Sequence, residues 1–186
     1  MSTEGGFSHL RDDLVADGHV VSMYRSTFRA PDGEEFQRDV VRHPGAVSVV
    51  PLLDDGNVVL VRQYRAALDR FLLEIPAGKR DVADEPPEET ARRELVEEVG
   101  LLPGVLVPLA VFHNSVGFSD EESHVFLATD LRAAERDLQG IEEQHMSEER
   151  IPLVDVPDMI ASGAITDAKT VIGLLLALRL VERSGP

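Results

Sequence analysis

The stretch GKRDVADEPPEETARRELVEEVGL, residues 78–101, holds a loop, a helix start and a ladder of carboxylates in one segment. Within ARRELVEEVG, Glu94, Glu97 and Glu98 stand at i, i+3 and i+4, a spacing that a helix of about 3.6 residues per turn gathers onto one face. Like charges so placed destabilise an isolated helix by roughly 0.2–0.5 kcal/mol per pair. A cation relieves that cost. Hard, oxygen-seeking Mg2+ or Mn2+ suits carboxylates, with water and substrate phosphate completing its shell, and so points to phosphoryl or pyrophosphate chemistry. The bland alternative is a hydrated acidic face countered by Arg92 and Arg93, the commoner fate of such runs. The flanking residues favour a built site: Gly78 precedes an irregular loop, Pro86 and Pro87 stand where a helix begins but cannot continue, and Gly100 stops it.

With loop, helix and stop in one register, the segment resembles the Nudix box, G-x5-E-x7-R-E-U-x-E-E-x-G-U with U a bulky apolar residue. Glu85, Arg93, Glu94, Leu95, Glu97, Glu98, Gly100 and Leu101 match in place. Gly78 lies one residue further upstream than the pattern asks, which lengthens the loop and leaves the helix unchanged. VVLVRQYR and LEIPAG before the helix, and VGFSDEESHVFLA and DAKTVIGLLLAL after it, are similar to the ADP-ribose pyrophosphatase branch of that family. Val116 departs from the branch, which usually has the proline of S-P-G-F there.

The resemblance implies an α/β (α+β) Nudix fold, a mixed β-sheet sandwiched between helices, with an N-terminal β-hairpin arm. Residues 1–45 would form that arm, serving dimerisation and substrate binding, and 46–186 the hydrolase domain. The implied reaction is metal-dependent cleavage of ADP-ribose to AMP and ribose 5-phosphate. Another nucleoside diphosphate sugar or nucleotide, such as GDP-mannose, is the alternative substrate. A non-catalytic nucleotide-sugar-binding module is disfavoured by the intact box glutamates.

Composition agrees with a small enzyme. The chain of 186 residues can bury one sizeable core, and the absence of cysteine excludes disulfides and thiol catalysis. A net charge of −16 argues against nucleic acid as a stable partner, because a phosphate backbone demands basic patches. It does not exclude a phosphorylated small molecule, since metal ions and a few arginines reverse the local potential. No apolar run has membrane-spanning length and no secretory leader is evident, so no membrane partner and a reducing cytoplasm are the expectation.

Along the chain, the polar residues up to about Asp17 predict a loosely held end. HVVSMYRSTFRA and EEFQRDVVRH flank a turn of Pro31, Asp32 and Gly33 and predict a hairpin, which must pack on something to be stable. By the resemblance that partner is a second subunit, in a homodimer. AVSVVPLL and VVLVRQYR, split by DDGN, give a second hairpin signal and belong to the core sheet. VLVPLAVFHN and HVFLATDL predict strands, residues 135–149 an acidic stretch without clear periodicity, and 167–181 a helix whose LLLALRL stripe is core packing.

The resemblance also implies roles. Glu94 and Glu98 are the main metal ligands, with Glu97 auxiliary and Ala77 contributing its carbonyl, for Mg2+ or Mn2+. Arg93 and Glu85 hold the loop against the helix. A base to take the proton of the attacking water comes from a loop after the core strands, where GIEEQHM offers Glu142 and Glu143. Glu143 fits the register from Met146 and Pro152 better, and would also approach the metal. His145 is a rival base, although a lone loop histidine is usually just exposed, and His113 on a strand pattern reads as structural. Arg38 and Arg65 match substrate-contacting positions, where a planar guanidinium pairs with phosphate at two points, and Phe118 would line the pocket.

Overall fold

The computed structural model describes residues 5–137 and 141–184, which fall into two compact units. The first contains residues up to Gly45 together with 113–122. Its sheet is antiparallel in the order β1 (Ser8–Asp17), β2 (Ser22–Arg29), β3 (Glu35–Arg42). β2 and β3 form the hairpin expected around Pro31, Asp32 and Gly33: Phe28 faces Phe36, and the Ala30 N–H donates to the Glu34 carbonyl at 2.8 Å. The segment 113–122 is stitched on by the Val41 N–H donating to the Phe118 carbonyl at 2.7 Å.

The loosely held end expected up to Asp17 is instead β1, paired along its length with β2. Nearly all its side chains are exposed, so it has no apolar face to betray it. Backbone pairing and polar anchors hold it: the Ser22 hydroxyl donates to Asp17, and the buried Ser26 hydroxyl to Asp12, both at 2.5 Å.

The second unit holds two sheets. One has the order β7 (Ala77–Lys79), β4 (Ala46–Pro51), β9 (Glu122–Ala133), β8 (Leu101–His113). The other has the order β10 (Ser147–Pro152), β5 (Asn57–Arg65), β6 (Arg70–Glu74). The helices are α1 (Pro87–Val99), α2 (Ile141–Gln144), α3 (Val156–Ala161) and α4 (Ala168–Ser184). Among the described residues no helix is long and apolar enough to cross a membrane.

The DDGN turn forms, but β4 and β5 are not a hairpin within one sheet. β4 has both edges taken, by β7 antiparallel and β9 parallel, while β5 pairs with β6 and β10. Both strands are apolar at successive positions because both faces are covered. Val47, Val49, Val59, Val61, Phe126 and Ala128 pack with Ala91, Leu95 and Val99 of α1. The alternate residues Val50, Val58, Leu60, Val125 and Leu127 pack with Leu174 and Ala177 of α4. Two sheets covered by helices, of which the one containing β4 is mixed, therefore follow from the period of two along β4, β5 and β9. β10 begins inside the stretch that showed no periodicity and runs three residues beyond it. It is a charged edge strand of sequence SEERIP, and charge is how exposed edges avoid further pairing.

Candidate active site

α1 begins and ends where its sequence dictates. Pro86 caps it in an extended conformation, Pro87 takes the first helical position, and Glu88 and Glu89 complement the positive end of the helix dipole. Gly100 ends it at φ 64°, a left-handed conformation that glycine adopts without strain, and its N–H donates back to the Val96 carbonyl at 2.9 Å. Ala91, Leu95 and Val99 form the buried stripe, each a turn apart. Glu94 and Glu98 each precede a stripe residue, so burying the stripe draws their carboxylates out of water.

β7 receives those carboxylates. The Ala77 N–H donates to Glu98 Oε2 at 3.0 Å. A Cβ on Gly78 would lie 1.9 Å from the Glu94 carboxyl carbon, so only glycine lets Glu94 rest against the strand. Arg93 sits among the remaining acids, within 2.9 Å of Glu94, 3.1 Å of Glu97 and 3.2 Å of Glu85. Its links to Glu85 tie the loop to the helix.

The two inner glutamates are strongly perturbed. Burial pushes the Glu98 carboxyl, only 3% exposed, up to about 8, with Glu94 and Glu143 adding repulsion against the Ala77 N–H and Arg65. Burial likewise raises Glu94 to about 7, against the opposing charge of Arg93. Glu143 on α2 thus stands close enough for its charge to act on Glu98. Its carbonyl accepts the Met146 N–H at 3.1 Å, and Met146 packs against the α1 side of the core. The side chain of Glu142, the rival position, lies outside the described residues. His145 is exposed, and His113 ends β8 exposed.

Two desolvated carboxylates that hold protons near neutrality form a donor set suited to a divalent cation, which would replace those protons. Among the described residues no three Asp, Glu or His side chains converge as a finished cage; Arg93 lies at the centre of the acidic cluster instead.

Arg65 faces inward. Its Nε and Nη2 grip the two oxygens of Glu74 at 2.7 and 2.6 Å. Lys169 binds the same buried carboxylate and Asp167, at 2.9 Å from the latter. Asp167 Oδ2 in turn accepts the N–H and hydroxyl of Thr170 at 3.0 and 2.6 Å. Glu74, Asp167, Lys169 and Thr170 had no role in the sequence reading. The signals were a lone acid inside the apolar run FLLEIP and the polar DAKT that opens the resembling segment DAKTVIGLLLAL. Arg38 and Phe118 belong to the other unit, where with Phe28, Phe36, Asp39 and Val116 they line a hollow of about 340 Å³. Arg38 lies over the Phe36 ring at 4.8 Å.

Comparison with known proteins agrees with this geometry. The family model for the NUDIX domain matches residues 42–171. An ADP-ribose pyrophosphatase of Bacillus subtilis (strain 168) is 37% identical, covering 85% of each chain. An ADP-ribose pyrophosphatase of Mycobacterium tuberculosis is 38% identical over 92% of this chain and 83% of its own. The crystal structure of an ADP compounds hydrolase, 23% identical, overlays 96% of both chains with a TM-score of 0.83, and so shares the fold. Glutamates at box spacing on a helix seated against a glycine strand, within a fold and sequence shared along nearly the whole length, establish that the chain belongs to the Nudix hydrolase family.

Proposed function

We propose that this chain hydrolyses the pyrophosphate of ADP-ribose, giving AMP and ribose 5-phosphate, with Mg2+ as cofactor and Mn2+ as a substitute. One observation carries the reading: Glu98 is buried and Glu94 half-buried beside it on the Ala77 and Gly78 backbone, with Glu143 acting on Glu98. A pyrophosphate is itself anionic, so this acidic site can admit it only with cations between. Glu94 and Glu98 would hold the cation, assisted by Glu97, Glu143 and the Ala77 carbonyl, and the bound cation supplies neutralisation of phosphate charge. Glu143 accepts the proton of the water whose oxygen forms the new P–O bond, as the bond to the leaving phosphate breaks. Arg93 and Glu85 keep loop and helix in register. The substrate identity is supported by the ADP-ribose pyrophosphatase relatives.

Arg38 and Phe118 are proposed to contact the substrate beyond its phosphates, supported by the aromatic hollow they share. Arg65 is proposed to touch it through the face that Glu74 leaves free. The arm, residues 1–45, is proposed to mediate a homodimer in the cytoplasm, supported by the exposed apolar side chains Phe7, Leu10, Leu14 and Val15. A panel of ADP-ribose, GDP-mannose and other nucleoside diphosphates, incubated with Mg2+ and then with excess chelator, tests the activity. Cleavage of ADP-ribose that stops on chelation is expected. Full activity after exhaustive chelation overturns the mechanism, and preference for GDP-mannose overturns the substrate. A monomer in sedimentation at micromolar concentration overturns the dimer.

A further inference from the structure

Ile75 lies in the short segment joining β6 to β7 and Ala77 opens β7, and the two residues are gripped from different helices. On the α1 side, the Ala77 N–H donates to Glu98. On the α4 side, the buried Ile75 N–H donates to Thr170 Oγ1 at 3.0 Å. Thr170 is wholly buried, and its hydroxyl hydrogen is committed to Asp167 Oδ2, so its oxygen is aimed to accept from Ile75. Asp167 caps α4 with the same oxygen, through the Thr170 N–H three residues on. One turn further, Gly173 brings α4 against the strands: a Cβ there would lie 3.1 Å from Ile75 Cδ1 and 3.0 Å from Val125 Cγ1. A second link runs through charge, from Asp167 to Lys169, Glu74 and Arg65.

We propose that the capped first turn of α4 positions the carboxylate site. Thr170, oriented by Asp167, fixes the strand at Ile75, and so sets where Ala77 presents its N–H to Glu98 and where Gly78 receives Glu94. Thr170 touches neither substrate nor cation in this role. It is a positioning residue, acting through two backbone steps, and the inference rests on the cation reading above. Outer partners of this kind commonly change metal affinity by about 10–100-fold when removed.

Thr170→Val keeps the shape and deletes the hydroxyl, leaving the Ile75 N–H without an acceptor; Thr170→Ser restores it. Mn2+ binding is titrated by calorimetry on substrate-free protein, alongside amide hydrogen exchange at Ile75 and Ala77. The expected result is about 10-fold weaker Mn2+ binding in Thr170→Val, faster exchange at both amides, and recovery of both in Thr170→Ser. Wild-type Mn2+ affinity in Thr170→Val, with only a lower Tm, overturns the proposal. Should Thr170→Val not fold, Asp167→Ala makes the same test, because it removes the oxygen that accepts both Thr170 donors and so leaves the Thr170 hydroxyl unoriented. Unchanged Mn2+ affinity there overturns it equally. If wild type and Glu98→Gln bind Mn2+ alike, the cation reading itself fails and takes this inference with it.

Discussion

Glu74 and Glu98 are both almost wholly buried, at 1% and 3% exposure, yet their surroundings drive them in opposite directions. Burial works to raise Glu74 too, but hydrogen bonds and charge from Arg65 and Lys169 outweigh it and hold its carboxyl below the usual range. Glu98 has one backbone N–H and the charge of Arg65, set against Glu94 and Glu143, and burial prevails. A buried acid with its cations built in is finished structure. A buried acid beside other acids lacks a positive charge that the chain does not supply, and under the proposed function that is where a cation from solution would act.

The largest effect should come from breaking that second site. Glu98→Gln keeps the size and removes the charge, so turnover should fall by about 1000-fold, toward the upper part of the range for losing a central catalytic group. Cation affinity should fall with it, and raised Mn2+ should recover part of the rate. Near wild-type turnover at low Mg2+ would show that Glu98 is a second Glu74, a structural acid. The converse substitution, Glu74→Gln, strands Arg65 and weakens the hold on Lys169. It should cost about 3 kcal/mol of stability in denaturant unfolding, the scale for removing one partner of a buried pair. Turnover of the folded fraction should change far less than in Glu98→Gln; an equal collapse would erase the distinction between the two sites.

Glu143→Gln should slow turnover by about 100-fold, leave substrate binding near normal, and recover far less with added metal than Glu98→Gln does, because Glu143 only assists the cation. A collapse in Glu142→Gln with Glu143→Gln near normal would move the base by one residue. That ambiguity was present in the sequence, because GIEEQHM has no period to fix its register. The position of α1 was legible to the residue because prolines start it and a glycine stops it, and both act locally. β1 was not legible because its partner supplies backbone bonds while its own side chains stay in water. The pairing of β4 and β5 was misread for a related reason: the DDGN turn is local, but the claims of β7 and β9 on β4 are not. The Glu74 cluster joins residues 74 and 169, and no spacing rule reaches across that separation.

The smallest expected effect is a pH dependence of opposite sign for the two acids, measured as a denaturant midpoint in chelator. Burial raises the folded carboxyls of Glu98 and Glu94 to about 8 and about 7, above the ordinary 4.5, so between pH 5 and 8 the folded chain binds more protons than the unfolded chain. Stability must then fall as pH rises through that window. Saturating Mg2+, by taking the protons' place, should flatten the fall, and Glu98→Gln should flatten it without metal. Glu74 works the other way: its folded value lies below 4.5, so its contribution is complete above that pH and is lost as pH falls through the lowered value. Glu74→Gln should therefore remove part of the acid limb and leave the decline from pH 5 to 8 intact. A midpoint that stays flat or climbs from pH 5 to 8 in chelator would mean that Glu94 and Glu98 are already neutralised within the fold, and the contrast with Glu74 would vanish.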